Sequence, residues 1–237
     1  MRAMILAAGL GKRMMPLTRE VPKPLLRVAG KTLIEYQLER LERAGIREIV
    51  INHSYLGEQI EAALGDGAQL GVHIQYSPEP TRLETGGGII QALPLLEESS
   101  FLVINADIWC DFDVAQLRSL ETGDSNEGDL ATLVLVDNAE HNPDGDFALD
   151  AEGRVRLLGS EEAAQAADSS LTFSGISVLH RDLFSGCEPG PQPLLPLLLA
   201  AIATDRVGGV HHQGLWVDVG TPERLAQVEA SLRDEQP

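Results

Sequence analysis

Short apolar runs alternate with helix-like repeats along the first half of the chain. A continuous apolar run from Ala3 to Ala8 is typical of a strand buried on both faces of a parallel sheet. Further strand-like runs lie at 48–52, 72–76, 101–105 and 130–136. Apolar residues recur at helical spacing in the segments 32–44, 56–64 and 89–96. This alternation predicts an α/β fold of three layers, with helices on both faces of a mostly parallel central sheet.

The pattern changes after residue 136, where a polar segment begins that contains the turn signal 142–145. Two short apolar segments flank Glu152-Gly153 and predict a β-hairpin, and residues 171–178 alternate as a strand does. We expect a loop or a short helix at 161–170. The chain then forms one domain over residues 1–237. Its expected parts are a core at 1–136, a small antiparallel lobe at 137–190 and C-terminal helices within 191–237.

The chain is acidic overall, but its first 31 residues are basic. The formal net charge is −18, which argues against general binding to nucleic acid or to anionic membranes. The first 31 residues nevertheless hold seven of the 18 lysines and arginines and only one of the 36 acidic residues. Cations concentrated in this way predict a site for a small polyanion.

Cys110 and Cys187 are isolated cysteines that form neither a CxxC motif nor a disulfide framework. Such cysteines are typical of reduced thiols in a cytoplasmic protein. No apolar run reaches the length of about 18 residues that a membrane-spanning helix needs, and no leader pattern begins the chain. We therefore expect a cytoplasmic protein that binds small molecules and neither membranes nor nucleic acid.

A glycine turn follows the first predicted strand and is rich in cations. Gly9 and Gly11 allow close approach of a ligand to the backbone, and Lys12 and Arg13 follow at once. Lys23 stands between two prolines a few residues later. Because open α/β sheets bind ligands at the carboxyl ends of their strands, this segment predicts a phosphate cradle.

Two common phosphate-binding motifs do not fit this segment. The P-loop needs a glycine five residues before Gly11-Lys12 and a serine or threonine after the lysine, but Leu6 and Arg13 stand there. The dinucleotide fingerprint needs a third glycine where Met14 stands. The segment Leu6 to Met14, together with Pro22-Lys23-Pro24, instead resembles the signature of the sugar-phosphate nucleotidyltransferases. That resemblance spans nearly the whole chain, and it implies their Rossmann-like nucleotidyltransferase fold with a sugar-binding lobe and no C-terminal β-helix.

The resemblance also implies which residues bind the nucleotide. Three glycines that open a helix, Gly86 to Gly88, offer a second group of backbone amides, although such a run also occurs in plain linkers. In the family this segment meets the base and the ribose. The implied nucleotide-binding residues are Ala8, Gly9, Gly11, Lys12, Arg13, Lys23, Glu84, Thr85 and Gly86.

Asp107 follows the strand 101–105 and is a suitable ligand for Mg²⁺, which prefers one or two carboxylates plus substrate phosphates. It could instead cap a helix, although Asp111 and Asp113 are better placed for that. The family has Gly-Asp where this chain has Ala106-Asp107. Its second metal carboxylate corresponds to Asp218, in the matching segment Trp216 to Thr221. The resemblance thus implies Mg²⁺ on Asp107 and Asp218, with Arg13, Lys23 and Asp107 as catalytic residues.

The implied sugar contacts are Asn105, Gly145, Asp146 and Gly175, although the strand around Gly175 could equally belong to the core. The resemblance is greatest to a short bacterial branch of the family, which transfers UMP from UTP to N-acetylmuramate 1-phosphate in peptidoglycan recycling. The lactyl carboxylate of N-acetylmuramate needs a cation or backbone amides to bind it. The lobe offers Arg154, Arg156 and Arg181 for this purpose. The expected partners are the two substrates, and the protein is expected to be a monomer or a weak dimer.

Other activities remain open at this point. The same site suits a glucose-1-phosphate or mannose-1-phosphate nucleotidyltransferase, and a choline-phosphate cytidylyltransferase is a more distant alternative. A regulatory subunit that binds nucleotide sugars without catalysis is an alternative of another class. Such a subunit would be expected to lack Arg13, Lys23 or one of the two aspartates, and this chain retains all four.

Overall fold

The computed structural model describes residues 1–121, 128–160 and 170–234. The strands are β1 Ala3–Leu6, β2 Arg27–Val28, β3 Lys31–Thr32, β4 Glu48–His53, β5 His73–Pro78, β6 Ser100–Asn105, β7 Ile108–Cys110, β8 Ala131–Val136, β9 Phe147–Leu149, β10 Val155–Leu157, β11 Ser170–His180, β12 Val207–His212 and β13 Trp216–Asp218. The main sheet has nine strands, seven of which follow the order β12-β8-β11-β6-β1-β4-β5, and β9 and β10 extend from one end of β11. The four strands β6, β1, β4 and β5 are parallel, and β11 is antiparallel to its neighbours.

Helices cover both faces of this sheet, as the predicted three-layer α/β fold requires. The helices are α1 Leu33–Arg43, α2 Gly57–Leu64, α3 Glu84–Leu96, α4 Leu195–Ile202 and α5 Pro222–Asp234. Alternate residues of a strand point to opposite faces, so Ile5 packs with α1 and α2 on one side and Met4 packs with α3 and α4 on the other. Thr32 and Glu35 form a capping box that starts α1 at the predicted position.

Strand β11 belongs to both the core sheet and the region expected as a lobe. Its C-terminal part pairs with β6, and its first residues pair with β9 of the predicted hairpin β9–β10. A bulge between Phe173 and Ser177 separates the two parts, and Gly175 has a φ of +83° there. The region 137–190 therefore shares a strand with the core.

A separate two-stranded ribbon, β7–β13, crosses the carboxyl end of the sheet. Asp218 is paired with Ile108 in this ribbon, and the N–H of Val219 donates to the carbonyl of Asp107 at 2.9 Å. Helix α5 follows and buries Val228 against the ribbon and the N-terminal segment. The ribbon thus brings Asp218, at the end of β13, next to Asp107, which directly precedes β7.

Two details of the sequence interpretation change or lie outside the described residues. The first strand ends at Leu6, so Ala7 and Ala8 already belong to the loop that was expected to start at Gly9. The loop or helix expected at 161–170 lies outside the described residues except for Ser170. Among the residues that the structure describes, no helix is long and apolar enough to cross a membrane.

Candidate active site

Two cavities meet at the carboxyl ends of the central strands. The first cavity, of about 230 Å³, lies between β1, β4, β6 and the start of α3. The second cavity, of about 410 Å³, lies between β11, the ribbon β7–β13 and the segment 137–146. Asn105 and Asp107 line both, so the cavities form one cleft with a junction at these two residues.

The N-terminal loop is fixed from both sides. The N–H of Ala7 donates to Oδ1 of Asn52 at 2.9 Å, and the hydroxyl of Thr18 donates to the carbonyl of Gly11 at 2.8 Å. Gly11 has a φ of +59°, and a Cβ there would lie 2.8 Å from Cγ2 of Thr18, so only glycine fits this turn. The loop places the predicted residues Ala8 and Gly9 in the lining of the first cavity.

Lys23 lies at the junction of the cavities and is nearly buried. Its side chain is only 8% exposed, and its ammonium group contacts the carboxylate of Asp107. A charge at this depth is screened weakly by water, so it acts strongly on any anion in the cleft. Lys12, which is exposed, lines neither cavity.

Asp218 is held among three basic side chains. Arg224 donates to its Oδ2 at 2.9 Å, and Nη2 of Arg13 lies 3.9 Å from the same atom. The ring of His141 is 3.8 Å away through Nε2 and accepts a 3.0 Å hydrogen bond from Arg224. Arg13 is 67% exposed and lines the second cavity, so its guanidinium group can reach a ligand.

Helix α3 brings the predicted residues Glu84 and Thr85 into the first cavity. Close packing requires glycine at the three positions that follow. A Cβ at Gly86 would lie 2.8 Å from the carbonyl oxygen of Gln192, and the N–H of Gly87 donates to that same oxygen. A Cβ at Gly88 would clash with the buried side chain of Glu79. The glycines let the helix lie directly against its neighbours, and Gly86 itself does not line either cavity.

Of the four predicted sugar contacts, only Asn105 lines the cleft. Gly175 lies behind it, where a Cβ would be 2.5 Å from Nδ2 of Asn105. Asp146 accepts hydrogen bonds from the N–H of Phe173 at 2.8 Å and from Asn142 at 3.2 Å. Gly145 has a φ of +69° beside Asn138. These three residues do not line the second cavity, but they lie behind the residues that do.

The arginines expected to attract the sugar are paired elsewhere. Arg154 makes two hydrogen bonds to Asp129, at 2.9 and 3.0 Å, and Arg156 donates to Asp150 at 2.7 Å. The pKa of Asp150 is lowered because hydrogen bonds from the backbone of Arg154 and the side chain of Arg156 outweigh the opposite effect of burial. Neither these arginines nor Arg181 lines the second cavity.

Several cleft residues were missed by the sequence interpretation. Asn52 and Glu79 line the first cavity, where Nδ2 of Asn52 donates to Glu79 at 2.7 Å. His141 and Trp216 line the second. The turn signal at 142–145 marked the neighbourhood of His141, and the matching segment 216–221 contained Trp216, but neither pattern indicated where the ring lies.

A group of possible metal donors lies outside the cleft lining. One ligand atom each from Cys110, Asp111 and His212 lies within 4.8 Å of the others, and His212 is 2.6 Å from Asp111. Hydrogen bonds from Leu215 and His212 lower the pKa of Asp111 despite the opposite effect of burial, and burial raises the pKa of the Cys110 thiol. We interpret this group as structural, because the contact between Asp111 and His212 joins the ends of β7 and β12.

Sequence comparisons identify relatives over nearly the full length of the chain. The N-acetylmuramate alpha-1-phosphate uridylyltransferase of Neisseria meningitidis serogroup B is 50% identical over 97% of both chains. A Caulobacter vibrioides protein of the same name is 37% identical over 98% of this chain and 97% of its own. The mannose-1-phosphate guanylyltransferase of Mycobacterium tuberculosis is 32% identical over 97% of this chain and 64% of its own.

Structural comparison agrees with these relationships. The crystal structure of a UDP-glucose pyrophosphorylase in complex with UDP-glucose superposes with a TM-score of 0.76, at 21% identity and over 99% of both chains. This likeness confirms the predicted fold. The model of the nucleotidyl transferase family matches residues 2–235. The family predicted from the N-terminal signature is thereby confirmed, and the chain belongs to the nucleotidyl transferases.

Proposed function

We propose that this chain transfers UMP from UTP to N-acetylmuramate 1-phosphate, which yields UDP-N-acetylmuramate and pyrophosphate for cell-wall recycling. A phosphate oxygen of the sugar 1-phosphate attacks the α-phosphorus of UTP and forms a new P–O bond. The bond from the α-phosphorus to the bridging oxygen breaks, and pyrophosphate leaves. The relative that is identical at half of its positions, and whose name states this activity, supports the choice of substrates.

The observation that carries the proposal is the junction of the two cavities at Asn105 and Asp107. A nucleotidyl transfer has to bring a nucleotide and a second phosphate together at one point. We assign the first cavity to UTP, with Glu84, Thr85 and the backbone at Gly86 near the base and ribose. The second cavity then receives the sugar, whose phosphate faces the junction.

Catalysis in this arrangement is positioning plus neutralisation of developing charge. We propose that the amides of the loop from Ala8 to Gly11, with Lys12 and Arg13, hold the triphosphate. Arg13 stabilises the charge that develops on the leaving pyrophosphate. Lys23 draws the attacking phosphate towards the α-phosphorus, and because it is buried, water screens its charge only weakly.

Asp107 and Asp218 fit a divalent cation, and we propose that it is Mg²⁺. Asp218 ends β13 and Asp107 directly precedes β7, so the ribbon brings the two residues next to each other, and both line the second cavity. Two carboxylates beside a phosphate site form the kind of donor set that Mg²⁺ prefers. The ion would supply charge neutralisation to the phosphates. Lys23 and Arg224, through their contacts with the two carboxylates, orient them.

The test is pyrophosphate release from UTP in the presence of Mg²⁺, with N-acetylmuramate 1-phosphate, N-acetylglucosamine 1-phosphate and glucose 1-phosphate compared side by side. We expect a strong preference for the muramate sugar. We also expect a loss of about 10²- to 10³-fold in Asp107→Asn, the scale for a preorganised electrostatic group. Preference for glucose 1-phosphate would contradict the sugar assignment. No release with any sugar would contradict catalysis itself.

A mannose-1-phosphate guanylyltransferase is the second candidate, because a relative of that name is 32% identical over nearly all of this chain. GTP with mannose 1-phosphate is therefore the added arm of the same assay. Faster release in that arm than with UTP and the muramate sugar would favour this candidate.

We further propose that the reaction takes place in the cytoplasm, with the enzyme as a monomer or a weak dimer. The free state of Cys110 and Cys187 is compatible with that compartment. Sedimentation of the purified chain over a range of concentrations tests the assembly state, and a tight higher oligomer would contradict it.

A further inference from the structure

We propose that His141 binds the carboxylate of the lactyl group, which is the group that distinguishes N-acetylmuramate from N-acetylglucosamine. This inference rests on the proposed function, because it names how the second cavity selects its sugar. It also replaces the expected role of Arg154 and Arg156, which are paired with aspartates outside the cleft.

Three of the other polar side chains in the second cavity have already used their donors. The amide group of Asn142 donates to Asp146 and to Thr172, both at 3.2 Å. The hydroxyl of Thr172 donates to Asn138 at 2.8 Å, and the indole N–H of Trp216 donates to the carbonyl of Ser174 at 2.9 Å. These groups build the wall and have no N–H or O–H left for a carboxylate.

His141 keeps one donor free, and Arg224 determines which one. An arginine can only donate, so Nε2 of His141 has to accept the 3.0 Å hydrogen bond from Arg224. The neutral imidazole then carries its proton on Nδ1. The structure gives this Nδ1–H no acceptor among the described residues, and the side chain is 37% exposed in the wall of the cavity.

The ring is also held in place. It stacks on Trp216, with the ring centres 6.3 Å apart and an angle of 21° between the planes. Together with the hydrogen bond from Arg224, this stacking fixes the direction of the free donor before a ligand binds. A fixed donor binds an anion with less loss of side-chain entropy than a mobile one.

The position of His141 suits the lactyl end of the sugar. Asn105 and Asp107 line both cavities and mark the junction to which the phosphate on C1 belongs, whereas His141 lines only the second cavity. The lactyl group is attached to C3, two ring carbons away from the C1 that carries the phosphate. Arg13 also lines this cavity, but the proposed reaction uses it for the triphosphate.

The test compares two sugars that differ only in the lactyl group. The ratio of kcat/KM for N-acetylmuramate 1-phosphate to that for N-acetylglucosamine 1-phosphate is measured for the wild type and for His141→Ala, His141→Asn and His141→Gln. Where turnover of the second sugar is too slow, its inhibition constant against the first replaces its kcat/KM. The asparagine amide can place an N–H near the position of Nδ1, whereas glutamine places its amide near Nε2.

We expect His141→Ala to lower the ratio by about 10- to 100-fold, the range for a hydrogen bond to a charged group. His141→Asn should recover much of the preference, and His141→Gln should not. Equal losses with both sugars would overturn the inference, since His141 would then serve the shared phosphate or the overall fold. A wild type that does not prefer the muramate sugar would already contradict the proposed function, and the inference with it.

Discussion

Replacing Gly175 by alanine tests the contact between β11 and the centre of the cleft. The residue has a φ of +83°, and its new Cβ would lie 2.5 Å from Nδ2 and 2.9 Å from Cγ of Asn105. The left-handed backbone costs an alanine about 1–2 kcal/mol. The overlap with Asn105 adds about 1–3 kcal/mol, the range for an overpacked site. We therefore expect a loss of about 2–5 kcal/mol in the free energy of unfolding.

Gly153→Ala is the matched control for this variant. Gly153 has a φ of +76°, but the nearest atom to a new Cβ is 3.8 Å away, so this substitution carries only the backbone cost. Urea unfolding followed by circular dichroism gives both free energies. The double variant Gly175→Ala/Asn105→Ala should recover the steric part, because it removes the side chain that the new methyl group meets.

Activity should separate the two glycines as well. Displacement of Asn105 at the junction is expected to lower kcat/KM by up to about 10²-fold in Gly175→Ala, since misplacement of about 1 Å can cost that much. Gly153→Ala should retain wild-type activity. Equal stability of the two single variants, with full activity in both, would refute the contact described between Gly175 and Asn105.

Three further predictions concern other parts of the chain. Lys23→Met should lower kcat/KM by about 10²- to 10³-fold, whereas Lys12→Met, in the exposed part of the same loop, should lower it by less than about tenfold; equal losses would contradict the role of burial. Iodoacetamide should modify Cys187 well before Cys110, which is 3% exposed and whose pKa burial raises; peptide mass spectrometry measures both rates, and equal rates would contradict this. Asp150→Asn should reduce the loss of unfolding free energy that accompanies a fall in pH. The lowered pKa of Asp150 gives stability that is full above about pH 4 and is lost as the pH falls through the folded-state pKa. Urea unfolding at pH 7 and pH 3 measures the free energy of unfolding. A difference between the two pH values that is the same in the variant as in the wild type would contradict this role of Asp150.

The main strands and helices of the first 105 residues could be predicted well because they depend on local patterns, whereas β7 and β12 were not predicted. Apolar runs and helical repeats are set by near neighbours, and the start of α1 at Thr32 follows from a capping box visible in four residues. The end of β1 was placed two residues too late, because Ala7 and Ala8 are as apolar as the strand that precedes them.

The site could be predicted only as far as its residues lie in one segment. The loop from Ala8 to Gly11 and the buried Lys23 are near each other in sequence, whereas the placement of Asp107 beside Asp218 depends on the ribbon, which no local pattern encodes. The pairing of Arg154 with Asp129 likewise depends on a partner that is far away in the sequence. A free cation and a paired one look the same in sequence.

The shared strand β11 determines how the two cavities can move relative to each other. A lobe joined by two flexible connections could swing as a rigid body, but residues 170–180 run without a break from the hairpin β9–β10 to the edge of β6. Any displacement of the hairpin relative to β6 therefore has to pass through this strand, whose irregular point is the bulge at Gly175. Since Gly175 lies against Asn105, which lines both cavities, such a displacement would change the shape of both cavities together.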